Sequence, residues 1–339
     1  MITMDIFNDD AFSATSLTAA VDKVGYVPNF LDAMPGLFDP VPVRTEAIWI
    51  ESRANEAALI QTTARGAPID EKSNDDGRDA RAFRTRRLFG NRRIRASELF
   101  GIRAFNSETE LKAVQTEVAY RQGLIKRDFA LTRENLKLGC IQGIVTDADG
   151  TTIYNWANEL GQTIPAEVDF DLDNASPADG ALRKRCTAAI RSMQRGLKGA
   201  VARSFMAICG DAFWDDLTAH PEVRATYLQT QAAAALREPL AWETFNFGGI
   251  TWTNYRGTDD NSTVAVNTDK AKFFPVGAGI FKWAMSPGET FDDIGTLGQD
   301  FYSMMVLDEK RNTYADVEVY SYPLPVCTLP QALYRAKRT

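Results

Sequence analysis

The apolar residues Leu111, Val114, Val118, Ile125, Phe129 and Leu136 recur at intervals of three, four or seven. That spacing lines one face of an α-helix. Ser107 followed by Glu110 forms a capping box ahead of the stripe, each side chain placed to satisfy the other's free backbone N–H. Gly139 and Gly143 supply stop signals. The helix so predicted runs about 33 residues, or about 50 Å at about 1.5 Å per residue. A rod of that length is a spine to which other elements attach.

Around this helix the pattern changes period. VRTEAIWIES, residues 43–52, alternates as a strand, with Ile48 and Ile50 on one face and Trp49 on the other. A long polar excursion with RGAPIDEKSNDDGRDAR at its tip follows, and the chain returns through Phe83 and Ile94 as one strand. Loops beyond about 15 residues without structure of their own are commonly functional or disordered. GIVTDADGTTIYNW predicts a hairpin turning at Asp149-Gly150, and TFNFGGITWTNY predicts a second hairpin or a bulged strand at Gly248-Gly249. Between them, Pro177 to Lys198 carries Leu182, Cys186, Ala189, Ile190 and Met193 in helical register. Phe205, Ala207 and Cys209 alternate as a short strand, and Asp211 is placed to cap a helix bearing Phe213 and Leu217. ADVEVYSY alternates again, and Pro323, Pro325 and Pro330 punctuate the tail. Residues 1 to about 41 predict a short helix from Ser16 to Val24, then extended backbone imposed by Pro28, Pro35, Pro40 and Pro42 in close succession. Such an arm makes no core of its own and must lie on something larger.

Composition narrows the function. The 339 residues carry 38 basic and 45 acidic side chains, a formal net charge of −7. A chain this acidic is repelled by a phosphate backbone unless a local patch overrides the overall field. Cys140, Cys186, Cys209 and Cys327 have neither zinc-ligand nor redox-motif spacing and read as buried thiols. The opening residues lack the basic and apolar regions of a secretory signal, and no apolar run approaches the roughly 20 residues that span a bilayer.

Candidate chemistry is sparse. His220 is the one histidine, and without a visible nucleophile or orienting partner it reads as structural. No phosphate-binding loop, metalloprotease or hydrolase signature occurs. Gly277-Ala278-Gly279 lacks the third glycine of a dinucleotide fingerprint and reads as a turn. Asp147 and Asp149 fall short of a calcium loop because no bidentate acid follows in register. Asp292 and Asp293 read as a solvated face. No enzyme, metal or cofactor is expected.

One segment stands apart. RDARAFRTRRLFGNRRIR, residues 78–95, holds eight arginines and one acid. It could grip nucleic acid or meet another protein, and a solvated loop is the bland reading. Nucleic-acid binding normally interleaves stacking aromatics or uses a groove-reading helix. Here only Phe83 and Phe89 intervene, and the preceding tip is acidic. Arginine pairs carboxylates two bonds at a time, which favours a charge-complementary protein contact. The candidate interface residues are Arg65, Arg78, Arg81, Arg84, Arg86 and Arg87, with Asp75, Asp76 and Asp79.

The chain resembles the major capsid protein E family, the lambda-type coat proteins of tailed phages. The resemblance is carried by ARGAPID, AFRTRRLFGNRRIRASELFGIRAF, KRDFALTRENLKLGCIQGIVTDADG, FWDDLTAHPEV, FNFGGITWTNYRG, FFPVGAGIFKWAMSPGETFDDIGTLG and EVYSYPLPVCTLPQALYR, taken in that order. It departs at TRRLFGNRRI, where relatives tend to carry a Thr-Pro-His lead-in to the strand. The resemblance implies an α+β architecture of the Hong Kong 97 phage type. An N-terminal arm would occupy residues 1–41 and an extended loop with flanking strands 42–104. The spine helix and peripheral domain would occupy 105–145, completed by 300–323. The axial domain would take most of 146–299, with 324–339 as a C-terminal segment. It further implies hexamers and pentamers of one chain closing an icosahedral head around double-stranded DNA, assembled in the host bacterial cytoplasm without a membrane. Scaffold, portal and decoration proteins are the implied partners. A nucleic-acid-binding accessory protein using residues 78–95 is the alternative.

Overall fold

The computed structural model describes residues 30–52, 79–99, 107–174, 176–228, 244–255, 264–311 and 313–339, with only the backbone for 51, 52, 79, 99, 107–113, 227 and 228. The short helix at Ser16–Val24 and the acidic loop tip lie outside the described residues.

The chain enters through β1 (Asp39–Pro42) and β2 (Ala47–Ser52), then β3 (Asp79–Arg84) and β4 (Leu88–Arg95). A single helical turn at Ala96–Leu99 precedes the spine α1 (Ser107–Gln142). The hairpin β5 (Ile144–Thr146) and β6 (Thr152–Asn155) leads through a helical turn at Trp156–Glu159 to β7 (Val168–Asp169). Next come α2 (Ala181–Gly196), β8 (Ser204–Cys209), α3 (Asp211–Ala219) and α4 (Pro221–Leu228). Then follow β9 (Thr244–Phe247), β10 (Ile250–Asn254), β11 (Lys270–Val276) and β12 (Phe281–Met285). The chain closes with β13 (Tyr302–Leu307), β14 (Tyr314–Ser321), β15 (Pro323–Cys327) and β16 (Tyr334–Lys337).

The strands form one six-stranded sheet in the order β7-β16-β11-β8-β10-β9, two three-stranded sheets, β13-β14-β4 and β1-β12-β15, and two hairpins, β2-β3 and β5-β6. In the largest sheet Phe170, Phe213, Trp252 and Phe273 interlock with ring centroids 5.2–6.2 Å apart. Trp252 is fully buried, and its indole N–H donates to Phe247 O at 3.1 Å. The turn joining β9 to β10 has φ +62° at Gly248 and +81° at Gly249, a conformation other residues rarely adopt.

Helix α1 spans 36 residues, about 54 Å. Val114, Val118, Ile125, Phe129 and Leu136 are buried as the periodicity requires. Ile125 and Phe129 pack with Phe301, Val319 and Leu88 into a small core beneath the β13-β14-β4 sheet. Gly90 of β4 passes so close to Ile125 that a Cβ there would overlap its Cγ2. Gly90→Val is therefore expected to cost about 1–3 kcal/mol, read as a lowered urea midpoint with an unchanged slope. The C-terminal half of α1 is enclosed almost all round, and one stripe does not describe it. Arg133 and Lys137 turn toward Asp32 and Asp300, with Arg133 4.9 Å and Lys137 4.7 Å from the Trp283 ring. Between them Glu134 accepts from Leu31 N at 3.1 Å and from Tyr255 OH at 2.8 Å.

Residues 30–41 lie on the chain's own body, the larger support such a segment needs: Leu31 and Leu37 are buried in the main core, and β1 pairs in parallel with β12. Their apolar side chains and the Asp32 carboxylate find partners on the chain's own spine. Several expectations are corrected. The return through Phe83 and Ile94 is two strands, because β3 pairs with β2 whereas β4 pairs with β14. The residues from Phe205 to Cys209 are all buried, since β8 lies between β11 and β10 with both faces covered. Asp211 is the first residue of α3, not its cap. Gly210 holds that place, and Asp211 accepts from Asn254 Nδ2 at 3.0 Å. Pro323 and Pro325 lie inside β15, an edge strand where a missing N–H does no harm.

Candidate subunit interface

The β2–β3 hairpin has two unlike faces. On the inner face Ile48 and Phe83 are buried. The Phe83 ring stands edge-on to Tyr154 at 5.6 Å and to Trp156 at 5.1 Å. Tyr154 OH donates to Arg84 O and accepts from Arg84 N, both at 3.1 Å. The Arg81 guanidinium donates to Glu159 O. On the outer face the register sets Trp49 opposite Ala82 and Ala47 opposite Arg84. Trp49 is 64% exposed, and Ala80, Ala82 and Arg84 beside it are exposed as well.

Residues Thr85 to Arg87 are the joint between the hairpin and β4. Thr85 N donates to Glu46 O at 3.1 Å, and Thr85 Oγ1 lies 3.0 Å from Ser286 Oγ. Ser286 Oγ donates to Thr45 O at 2.9 Å. Arg86 N donates to Pro323 O at 3.4 Å. These four backbone and hydroxyl bonds fix the joint to the body.

The arginine block is thereby divided. Arg87 bonds Glu289 at 3.0 Å, Arg92 bonds Asp128 at 2.9 Å, and Arg93 grips Asp316 through two bonds of 2.8 and 2.9 Å. The Arg93 guanidinium also lies 3.7 Å over the Tyr314 ring. Arg84 and Arg86 are exposed, and among the described residues neither side chain bonds a carboxylate. Of the nine candidate residues, Arg65, Asp75, Asp76 and Arg78 lie outside the described residues. Asp79 is described by its backbone alone, paired with Ser52. Arg81 and Arg87 are engaged within their own chain.

A neighbouring feature escaped the sequence reading. Between β12 and β13 the turn around Phe291–Asp293 exposes Phe291 at 95%, Ile294 at 73% and Leu297 at 49%. The signal was legible in ETFDDIGTLG as apolar residues three apart between glycines. The paired acids drew the reading toward a merely solvated face. Asp292 is indeed exposed, whereas Asp293 accepts from Thr290 Oγ1 and its carbonyl accepts from Thr296 N at 3.1 Å.

The residues considered for chemistry are occupied structurally. His220 is buried, its Nδ1 accepts from Glu222 N at 3.3 Å, and burial holds its pKa below the usual histidine range. Glu222 in turn accepts from Leu182 N at 3.0 Å and Arg183 N at 3.3 Å, capping α2 from a distance. All four cysteines are free and buried, and burial pushes the thiols of Cys186 and Cys327 up to about 12. Such thiols carry almost no reactive thiolate at neutral pH. Asp149 Oδ1 accepts from Thr151 N at 2.9 Å and Oγ1 at 2.7 Å, which closes the β5–β6 hairpin turn. No group of three or more candidate metal ligands occurs among the described residues. No helix among them is long and apolar enough to cross a membrane.

Comparison with known proteins agrees with this architecture. The chain is 24% identical to the major capsid protein of Salmonella phage Felix O1, over 95% of each chain. It is 23% identical to the major capsid protein of Pseudomonas phage KPP10, covering 96% of this chain and 97% of that one. Among solved structures, a capsid chain of cyanophage A-1(L) superposes with a TM-score of 0.53 at 10% identity, over 92% of this chain and 94% of the other. The fold is the α+β fold of Hong Kong 97-like phage capsid proteins. Residues 13–338 match the family described as phage major capsid protein E, and this chain belongs to that family.

Proposed function

We propose that the chain is the coat subunit of a tailed-phage head, self-assembling as hexamers and pentamers into an icosahedral shell that encloses double-stranded DNA. The single observation that carries this reading is the family match along nearly the whole chain. The physical arrangement supports it. A hairpin is anchored through one face, while its other face carries an open tryptophan and an exposed arginine. Closed symmetric assemblies multiply such modest contacts into a stable container.

On this reading β2 and β3 are the root of the extended loop. The β13-β14-β4 sheet on α1 is the peripheral domain, and the six-stranded sheet is the core of the axial domain. A scaffold, a portal and a decoration protein are the partners expected in the host cytoplasm. The family is one of structural proteins and not a class of enzymes. The nucleic-acid alternative loses its patch. Arg87, Arg92 and Arg93 are spent on carboxylates, and the block is split between two strands that pair in different sheets.

Electron microscopy and light scattering of the purified full-length chain test the proposal. Shells or capsomers are expected, and small particles under every condition would overturn it. Within that test Arg84→Gln with Arg86→Gln is expected to reduce shell yield several-fold and leave the thermal midpoint unchanged. Among the described residues neither guanidinium bonds a carboxylate, so the loss is expected to fall on contacts between copies.

A further inference from the structure

We infer that the Phe291–Leu297 turn of one copy seats against the Trp49 face of the β2–β3 hairpin of a second copy; this rests on the coat-protein reading and assigns it a contact. Among the described residues the large apolar side chains more than 60% exposed are Val201, Phe291, Ile294 and Trp49. Exposed single apolar residues are commonplace, but apolar residues grouped and held outward mark interaction surfaces.

The turn is built to hold them outward. Asp293 N donates to Thr290 O at 3.1 Å, Thr296 N to Asp293 O at 3.1 Å, and Thr296 Oγ1 to the same carbonyl at 2.7 Å. The ends are clamped to the body as well. Ser286 N donates to Tyr322 O at 3.1 Å, and Gly298 N donates to Val43 O at 2.9 Å. Held by these bonds, the segment offers Phe291, Ile294 and Leu297 in a preformed turn, which lowers the entropic cost of binding.

The hairpin face offers matching chemistry, an apolar centre with a basic rim. Trp49 shares the outer face with Ala47, Ala80, Ala82 and Arg84, three of them small, and Glu51 holds the register position opposite Ala80. At the rim Arg84 is exposed, on the turn Asp292 is exposed, and among the described residues neither bonds a group of opposite charge. Bringing the two surfaces together pairs those charges while covering the four largest apolar groups in either patch. Tryptophan and arginine are the side chains over-represented where binding energy concentrates.

The contact is not made within this chain: Phe291 is 95% exposed and Trp49 64% exposed. The two surfaces are also different patches, so their pairing is head-to-tail. Contacts of that kind close into rings when the rotation permits.

Two measurements on the full-length chain decide the matter. Phe291→Ser with Ile294→Ser is expected to lower shell yield at least tenfold in sedimentation, with circular dichroism and thermal midpoint unchanged. Separately, chains carrying Trp49→Cys and chains carrying Phe291→Cys are mixed under oxidised glutathione. A disulfide-linked dimer is expected from the mixture and not from either chain alone, because the native cysteines are buried. Wild-type shell yield from the serine variant, or no excess of linked dimer in the mixture, would overturn the contact while leaving the coat reading intact. If the unsubstituted chain forms neither shells nor capsomers, the coat reading fails and this contact falls with it.

Discussion

Trp252→Ala is expected to destabilise the isolated subunit by about 3–5 kcal/mol, enough to abolish most soluble protein at 37 °C. The indole is fully buried against Phe170, Phe213 and Phe273, and its N–H is satisfied by Phe247 O. Alanine would leave a cavity in the middle of the six-stranded sheet and orphan that carbonyl. Because whole domains are stable by only about 5–15 kcal/mol, one such substitution removes a large part of the total. Urea unfolding followed by fluorescence gives the number, and a loss below about 1 kcal/mol would mean the aromatic cluster does not hold the sheet. Trp49→Ala is the matched control. Its side chain is mostly in water, so its effect on subunit unfolding is expected to be small.

The second large effect is a pH dependence carried by Glu134. Burial pushes its pKa from the ordinary 4.5 up to about 7, against the opposing hydrogen bonds from Leu31 N and Tyr255 OH. Arg133 and Lys137 flank it on α1 but turn to Asp32 and Asp300. A carboxyl whose pKa is higher folded than unfolded favours the folded state when protonated. Its contribution is complete below about pH 4.5 and is lost as pH rises through about 7. The full displacement corresponds to about 3 kcal/mol. Glu134→Gln keeps an acceptor for both donors and removes the titration. The variant is expected to match the wild type near pH 4.5 and to exceed it by up to about 3 kcal/mol at pH 8.5. Denaturant unfolding of both proteins at several pH values reads this directly, and parallel stability curves would show that Glu134 does not titrate in this window.

The parts of the fold legible in the sequence are those whose partners are near in the chain. The spine helix, the hairpin at Asp149-Gly150 and the hairpin at Gly248-Gly249 each declare themselves through local periodicity or a turn that glycine alone tolerates. What escaped depends on distant pairing. The break between β3 and β4 is set by β14, some 220 residues later along the chain. The prolines of β1 and β15 read as interruptions, yet both strands flank β12, where a proline edge is tolerated and also blocks further strand addition. The buried ionic group joins Asp32, Arg133, Lys137 and Asp300 from three separated segments, and no local pattern announces it. For the interface, the arginine-rich stretch was visible, but which arginines remain available was not. That depends on where Glu289, Asp128 and Asp316 arrive in space.

β16 lies inside the six-stranded sheet, hydrogen-bonded to β11 on one side and β7 on the other. Strands made early must therefore wait with open edges for residues 334–337 to emerge from the ribosome. A nascent copy, however crowded by its neighbours on one messenger, cannot present a finished wall unit until synthesis has passed that point. The order of translation thus fixes when this sheet can be completed.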